Sequence, residues 1–312
     1  MHQITYMSLL VTGTVAFDAV ETPFGKTDKI IGGAATYISL AASYFTRDIN
    51  LIAVVGEDFP QSYIEILKGK NIDVKGLQIK KGEKSFFWSG RYFNDMNSRE
   101  TLVTELNVLA DFDPVVPAGY ENPEFLMLGN LAPVVQSTLI GRLSARPKLI
   151  VMDTMNFWMD IAMDDLKRSI AMVDVLTIND EEARQLSGEY SLMKAAVKIQ
   201  EMGPKYLIIK KGEHGALLFH GKHVFFAPAM PLESVFDPTG AGDTFAGGFI
   251  GWLAKTGDIG FENMKRALIY GSAMASFCVE KFGTENILDV TEHAFTERVR
   301  AFQSLSAVEL DI

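Results

Sequence analysis

Cysteine is almost missing from this sequence: Cys278 is the only one in 312 residues. An internal disulfide is therefore impossible, and a cysteine-rich zinc cluster is excluded with it. Cys278 lies in the apolar stretch 273–279, the setting of a buried, inert thiol rather than a nucleophile. Long apolar runs are missing too. None approaches the roughly 20 residues of a membrane helix, and the N-terminus shows neither the basic region nor the cleavage site of a signal peptide. We expect a cytoplasmic protein with no membrane partner. Basic charge is scarce as well, with 29 Lys and Arg against 39 Asp and Glu, a net charge of −10. That argues against a nucleic-acid partner, which relies on clustered cations. A nucleotide can still be held by amides, local lysines and a metal ion. The chain also has no Gly-x-x-x-x-Gly-Lys-Ser/Thr loop, and Gly240-Ala241-Gly242 lacks the third glycine of a dinucleotide fingerprint. Any phosphate loop here is of another kind.

What is present is organised around residues 237–249, Asp-Pro-Thr-Gly-Ala-Gly-Asp-Thr-Phe-Ala-Gly-Gly-Phe. Pro238 fixes its own φ and donates no backbone hydrogen bond, while Gly240 and Gly242 permit close backbone approaches that side chains resist. A sharp turn is expected. From Ala241 onward Phe245, Phe249, Trp252 and Leu253 recur at helical spacing. Free amides at that helix start, together with the positive end of the helix dipole, attract an anion such as phosphate. Asp243 stands among them. Taken alone it is equally a first-turn acid that complements the dipole.

The rest of the chain alternates between strand-like and helical stretches. Residues 7–17 are an apolar run ending at Asp18, read as a buried parallel strand, and ligands of open α/β sheets bind beyond such ends. Asp is also common in turns, which is the plainer account of Asp18. Gly32-Gly33 leads into a helix of small residues. Residues 51–59 read as a second strand and 61–70 as its crossover helix. From 76 to 105 β-prone, aromatic-rich segments are separated by a turn-rich stretch at 94–98. We read a small antiparallel sheet there, inserted as a water-excluding lid into a body made of 1–75 and 106–312. Apolar strands at 125–128, 149–152 and 175–178 follow, the second trailed by Asp153 and Asn156, the third by Asn179 and Glu182. Residues 206–219 read as strand, turn and strand, with Lys211 and Gly212 at the turn. Such alternation favours a mostly parallel central sheet with helices on both faces, a three-layer α/β/α fold.

The string 237–249 closely resembles the C-terminal signature of the ribokinase-like (PfkB) family of carbohydrate and nucleoside kinases, and Gly32-Gly33 resembles its N-terminal signature. With Asp153-x-x-Asn156 and Asn179-x-x-Glu182 in the family's order, the resemblance covers essentially the whole chain. It implies a ribokinase-like fold and an ATP-dependent kinase acting on a small sugar or nucleoside, with Mg2+ as cofactor. On that resemblance Asp243 takes the proton from the acceptor hydroxyl, and the amides of Gly240, Ala241 and Gly242 form an anion hole. Asp18, Gly32, Gly33, Asp153 and Asn156 serve the acceptor; Asn179, Glu182, Lys211 and Gly212 serve ATP and magnesium. Asp237 and Thr239 flank a potassium site, and the lid supports a homodimer. One departure stands out: Tyr37 occupies the place where many sugar-phosphorylating members carry Asn. With Phe17, Met155, Phe157 and Trp158 near strand ends, it points to an acceptor site more apolar than a plain ribose or fructose pocket, suited to a nucleoside or substituted sugar. Arg91 or Arg99 would suit a sugar phosphate instead. The competing class is a sensing protein that kept the fold and lost the chemistry, and the intact Asp243 and glycine loop count against it.

Overall fold

The computed structural model describes residues 7–305 and 307. Its strands are β1 (Leu9–Thr12), β2 (Ala16–Thr22), β3 (Gly25–Lys26), β4 (Ile30–Gly32), β5 (Ile49–Gly56), β6 (Ile72–Lys80) and β7 (Phe87–Tyr92). They continue with β8 (Arg99–Glu105), β9 (Phe125–Leu128), β10 (Leu149–Asp153), β11 (Val175–Asn179), β12 (Tyr206–Lys210), β13 (Ala216–His220) and β14 (His223–Ala227). Alternate side chains of the apolar strands point to opposite faces of a sheet, and two separate cores result. Leu9, Val11 and Val151 pack in one; Leu10, Ile150 and Met152 pack in the other. The helices Ala34–Ser43, Ala241–Thr256 and Phe261–Cys278 cover the first face, and Pro133–Arg142, Met163–Ile170, Asp180–Ser187 and Leu192–Gln200 cover the second. This is the expected three-layer α/β/α arrangement.

The central sheet has nine strands in the order β14-β13-β12-β11-β10-β9-β1-β5-β6. Every pairing from β6 across to β12 is parallel, and β13 and β14 close the far edge as an antiparallel hairpin. The chain moves from β1 to β5 and β6 on one side, then returns to lay β9 on the other side of β1. That reversal opens a crevice at the carboxyl ends of β1 and β9, where ligands of such sheets bind.

Two expectations about chain boundaries differ from what is observed. The apolar run 7–17 is not one strand: β1 ends at Thr12, Gly13 follows, and β2 begins at Ala16 in a different sheet. Asp18 is therefore inside β2 rather than beyond the end of a central strand. Nor is the small sheet made of 76–105 alone. It contains β2, β3 and β4 as well as β7 and β8, with β2 and β7 paired in parallel, whereas Gly76–Lys80 pairs with β5 in the central sheet. Both differences have one cause. Buried strands of two adjacent sheets carry the same apolar composition, so hydrophobicity cannot mark where the chain steps from one to the other.

Helix packing fixes the central turn over the crevice. A β-carbon at Gly247 would lie 2.3 Å from the Ile38 carbonyl oxygen, and one at Gly251 would lie 2.8 Å from Ala42 Cα. The Ala241–Thr256 helix thus lies backbone to backbone on Ala34–Ser43. Its N-terminal turn is held above the Gly32-Gly33 bend.

Candidate active site

The turn at 237–240 is built by three local constraints. Thr239 N–H donates to Asp237 Oδ1 at 2.9 Å, Gly283 N–H donates to Asp237 Oδ2 at 3.0 Å, and Ala241 N–H donates to the Pro238 carbonyl at 3.2 Å. Gly240 has φ +76°, a left-handed conformation open to glycine at little cost. A β-carbon there would also lie 2.5 Å from the Tyr37 ring. Of the three amides expected to form an anion hole, that of Ala241 is thus engaged within the turn. The N–H groups of Gly240, Gly242 and Asp243 donate to no acceptor among the described residues, and they carry the positive end of a 16-residue helix.

Around this turn the strand ends deliver charge. Asp153 at the end of β10 and Lys210 at the end of β12 form a largely buried ion pair, Nζ to Oδ2 at 2.9 Å. Lys210 Nζ lies 3.0 Å from where a β-carbon of Gly242 would be. Burial works against the ammonium, but Asp153 and Glu182 outweigh it and raise its pKa further. At the end of β11, Asn179 and Glu182 form a reciprocal capping box: Glu182 N–H donates to Asn179 Oδ1 at 2.8 Å, and Asn179 N–H donates to Glu182 Oε2 at 2.7 Å. The buried Glu182 carboxyl is pushed up to about 7 by burial, with Lys210 pulling the other way.

Asp243 and Asp18, far apart in the chain, face the same space. Burial pushes Asp243 up to about 7; Asp153 adds to the rise, and Lys210 and Arg99 oppose it. Burial likewise pushes Asp18 up to about 7; the Gly33 N–H opposes this, and the charges of Asp237 and Asp243 add to it. Gly32 makes room for that carboxylate, since a β-carbon there would lie 1.8 Å from Asp18 Oδ2. Gly33, at φ +92°, starts the Ala34–Ser43 helix. Arg99, on β8 of the small sheet, sits against the Trp88 ring and the Tyr92 hydroxyl, and its charge weakly opposes the rise at Asp18, Asp243 and Glu182.

Some expected residues lie elsewhere or act otherwise. Asn156 donates from Nδ2 to Gln185 Oε1 and does not join Asp153. Lys211 makes no side-chain hydrogen bond or ion pair among the described residues, and the ammonium in the cluster belongs to Lys210, which sequence reasoning passed over. In retrospect its signal was a lysine closing an otherwise apolar strand, Tyr-Leu-Ile-Ile-Lys. Gly212 lies against the small sheet instead, with Asn97 Oδ1 2.3 Å from where its β-carbon would be. Tyr37 adds no aromatic surface to the acceptor site. It is 1% exposed, beneath Gly240, because a ring is what fills the space left by the glycine turn. Phe17 is likewise buried, tilted against Phe59. Of the other residues expected to line the acceptor, Trp158 and Met155 both bond to Asn130, just past β9: Trp158 Nε1 donates to Asn130 Oδ1 at 2.8 Å, and Asn130 Nδ2 donates to Met155 Sδ at 3.0 Å. Arg91 is tied to Glu21 on the small sheet, away from the carboxylate cluster.

No helix of the described residues is long and apolar enough to cross a membrane. Among known protein families, residues 8–291 match the pfkB family carbohydrate kinases. A cytidine kinase of Thermococcus kodakarensis is 29% identical over 253 residues, covering 80% of this chain and 89% of that protein. A nucleoside kinase of Methanothermobacter thermautotrophicus is 27% identical over 316 residues, covering 91% and 93%. Among solved structures, the nucleoside kinase of Methanocaldococcus jannaschii, an archaeal member of the ribokinase family, superposes with a TM-score of 0.76 at 21% identity, covering 95% of this chain and 99% of that one. The Burkholderia thailandensis nucleoside kinase in complex with inosine gives 0.76 at 19% identity, with the same coverage. The match to the family spans nearly the whole chain and the fold is the ribokinase fold: the protein belongs to the pfkB family of carbohydrate kinases, phosphotransferases whose acceptor is a hydroxyl group.

Proposed function

We propose that this protein is a nucleoside kinase that transfers the γ-phosphate of ATP to a ribose hydroxyl, with Asp243 as the base. One observation carries the proposal. The free amides of Gly240, Gly242 and Asp243 at a helix N-terminus lie beside the Lys210 ammonium, 3.0 Å from the position of a Gly242 β-carbon, and the carboxyl of Asp243 follows them in the same turn. A hydroxyl held by Asp18 and Asp243 stands next to a site made for a phosphoryl group.

The transfer forms one bond from the acceptor oxygen to the γ-phosphorus and breaks the bond from that phosphorus to the ADP oxygen, while the hydroxyl proton passes to Asp243. A carboxyl titrating near neutrality is well matched to that task. Phosphoryl transfer depends mainly on positioning and charge neutralisation. The amides of Gly240, Gly242 and Asp243, with Lys210 and Arg99, supply the neutralising charge. Asn179 organises the start of the Asp180–Ser187 helix, so that Glu182 is held at the nucleotide side.

The donor set also fits magnesium. One Glu182 oxygen is committed to the Asn179 N–H and the other is free, and among the described residues no three metal-ligating side chains form a closed cage. Magnesium is commonly held in this way, by one or two carboxylates together with phosphates and water. Bound with ATP, it would neutralise phosphate charge. A potassium ion beside Asp237 and Thr239 fits as well: Asp237 is 1% exposed, accepts two backbone N–H groups, and pairs with no cation among the described residues.

Two observations favour a nucleoside over a bare sugar. The Asn130–Met155–Trp158 group offers both amide and aromatic surface beside the acceptor end of the crevice, and the similar proteins named above are cytidine and nucleoside kinases. An ADP-release assay across cytidine, inosine, adenosine, ribose, fructose and fructose 6-phosphate tests the proposal. Turnover with nucleosides is expected. Efficient phosphorylation of a free sugar with nucleosides inert would replace it with a sugar kinase, and no acceptor-dependent turnover at all would favour a binding protein.

A further inference from the structure

We propose that Tyr92 is a positioning residue: its hydroxyl latches the small sheet to the anion-hole turn and sets the direction of Arg99. The assignment rests on the kinase reading above. Tyr92 and Arg99 are register partners across β7 and β8, and Tyr92 is 5% exposed. Its hydroxyl oxygen accepts from two directions at once. Thr239 Oγ1 donates to it at 3.3 Å, and Arg99 Nη1 donates to it at 3.5 Å. A phenol oxygen can accept both.

The two donors belong to different bodies. Thr239 is fixed to the α/β layer, since its N–H is held by Asp237, which is held in turn by the Gly283 N–H, and its carbonyl accepts from Cys278 Sγ at 3.5 Å. Arg99 rides on the small sheet and is exposed. The sheet meets the body elsewhere too: the Phe24 ring lies 5.6 Å from the Phe236 ring, Ile30 lies against Gly283, and Asn97 lies against Gly212. Among the described residues of the sheet, Tyr92 is the one that hydrogen-bonds Thr239, the residue immediately before Gly240. Through that one oxygen, the position of the sheet, the direction of the guanidinium and the shape of the phosphate turn become a single cooperative unit. Without it the guanidinium keeps only the Trp88 ring, 5.7 Å from its centroid, to limit its rotamers, and Thr239 loses its hydrogen bond to the cover.

The phenyl ring fills space whether or not it carries an oxygen, so Tyr92→Phe separates latching from packing. Acceptor phosphorylation by Tyr92→Phe should fall about tenfold in kcat, the loss expected for one hydrogen bond realised in the transition state. The Kd for ATP should stay within about twofold, and the ratio of ATP hydrolysed to acceptor phosphorylated should rise severalfold. Thr239→Val should reproduce the defect, and Thr239→Ser, which keeps the hydroxyl, should show a markedly smaller one. The double variant Tyr92→Phe/Thr239→Val should be no worse than the poorer single, because both remove the same bond. Amide hydrogen exchange of residues 236–243 in the ligand-free protein should speed up in Tyr92→Phe and Thr239→Val and markedly less in Thr239→Ser. That readout needs no turnover, so it tests the latch even if no acceptor is found. Wild-type kcat, coupling and exchange in Tyr92→Phe would overturn the proposal, as would additive effects in the double variant. Should Tyr92→Phe fail to fold, the contrast between Thr239→Val and Thr239→Ser decides by itself, and equal behaviour of those two would reject the latch.

Discussion

Replacing Lys210 by Met preserves much of the side chain's bulk and deletes one positive charge from among Asp18, Asp153, Glu182 and Asp243. Lys210 Nζ lies 3.0 Å from the position of a β-carbon at Gly242, the residue before Asp243. One Cα step further puts the two charges roughly 6–8 Å apart. In an effective dielectric of about 20, Coulomb's law gives ~2–3 kcal/mol for that pair, equivalent to roughly one and a half to two pH units. Water in the open cleft reduces the effect, so a shift of about one unit is expected. If Asp243 is the base, as proposed, its carboxyl, pushed up to about 7, sets the rising limb of kcat/KM against pH, and that limb should move to about 8 in Lys210→Met. Activity lost at neutral pH should return in part under alkaline conditions. The measurement is an ADP-coupled rate profile, paired with a carboxyl-carbon NMR titration of aspartate-labelled protein. Removing one partner of a largely buried pair also leaves Asp153 exposed to repulsion and destabilises the fold by several kcal/mol at most. Asp153→Asn/Lys210→Met is the control that removes both charges. A folded Lys210→Met protein whose limb stays within about 0.3 units of wild type would refute the electrostatic argument. A uniform loss at every pH would assign Lys210 to phosphate binding and not to tuning the base.

Asp243→Asn keeps the side chain's size but cannot accept a proton, so turnover should drop by roughly 10²- to 10⁴-fold with ATP still bound, as nucleotide titration by calorimetry would show; unchanged turnover would take Asp243 out of the mechanism. Gly240→Ala must place an L-residue at φ +76° and push a methyl into the Tyr37 ring. It should lose at least ~1–2 kcal/mol in denaturant unfolding together with most activity, whereas near-native stability would show that the turn relaxes easily. Stability should also depend on pH in a defined direction. Asp18, Glu182 and Asp243 have folded-state pKa values of about 7, above their ordinary values of 3.8, 4.5 and 3.8. Their contribution is fully present below about pH 4 and is lost as pH rises through about 7, because the unfolded chain releases those protons first. The ligand-free protein should thus melt at a lower temperature at pH 8 than at pH 5.5, with Asp18→Asn flattening the slope; a slope of the opposite sign would contradict the raised values.

Much of the fold was legible because it rests on local pattern. Short apolar strands alternating with amphipathic stretches led to the parallel sheet, and the 237–249 string located a turn and a helix start that the structure contains. What the pattern could not convey was which sheet a strand joins. The residues from Leu9 to Phe17 carry no charge and are β-prone on both sides of Gly13, and a single bend after Thr12 sends Asp18 into the small sheet. The site was legible where backbone chemistry dictates it, as at Gly240, Gly33 and the Asn179 capping box. It was obscure where long side chains converge from distant elements. Lys210 looked like an ordinary strand end until β10 brought Asp153 beside it. Tyr37 looked like an acceptor contact until the left-handed glycine turn was seen resting on its ring.

Those convergent charges explain why a site so costly to the free protein is worth keeping. Three carboxyls raised to about 7 resist ionisation where they are buried, and Lys210 and Arg99 relieve this only in part. Additional negative charge from ATP would make matters worse unless it arrives with its own cation and seats its phosphates on amides that already face it. On the proposed mechanism the arrangement would favour ATP bound with magnesium over free ATP, and an acceptor whose hydroxyls replace water around Asp18 and Asp243. Under the proposed mechanism substrate binding would convert electrostatic strain into orientation: Asp243 is least stable when charged without a partner, and would be most useful when an acceptor hydroxyl donates to it.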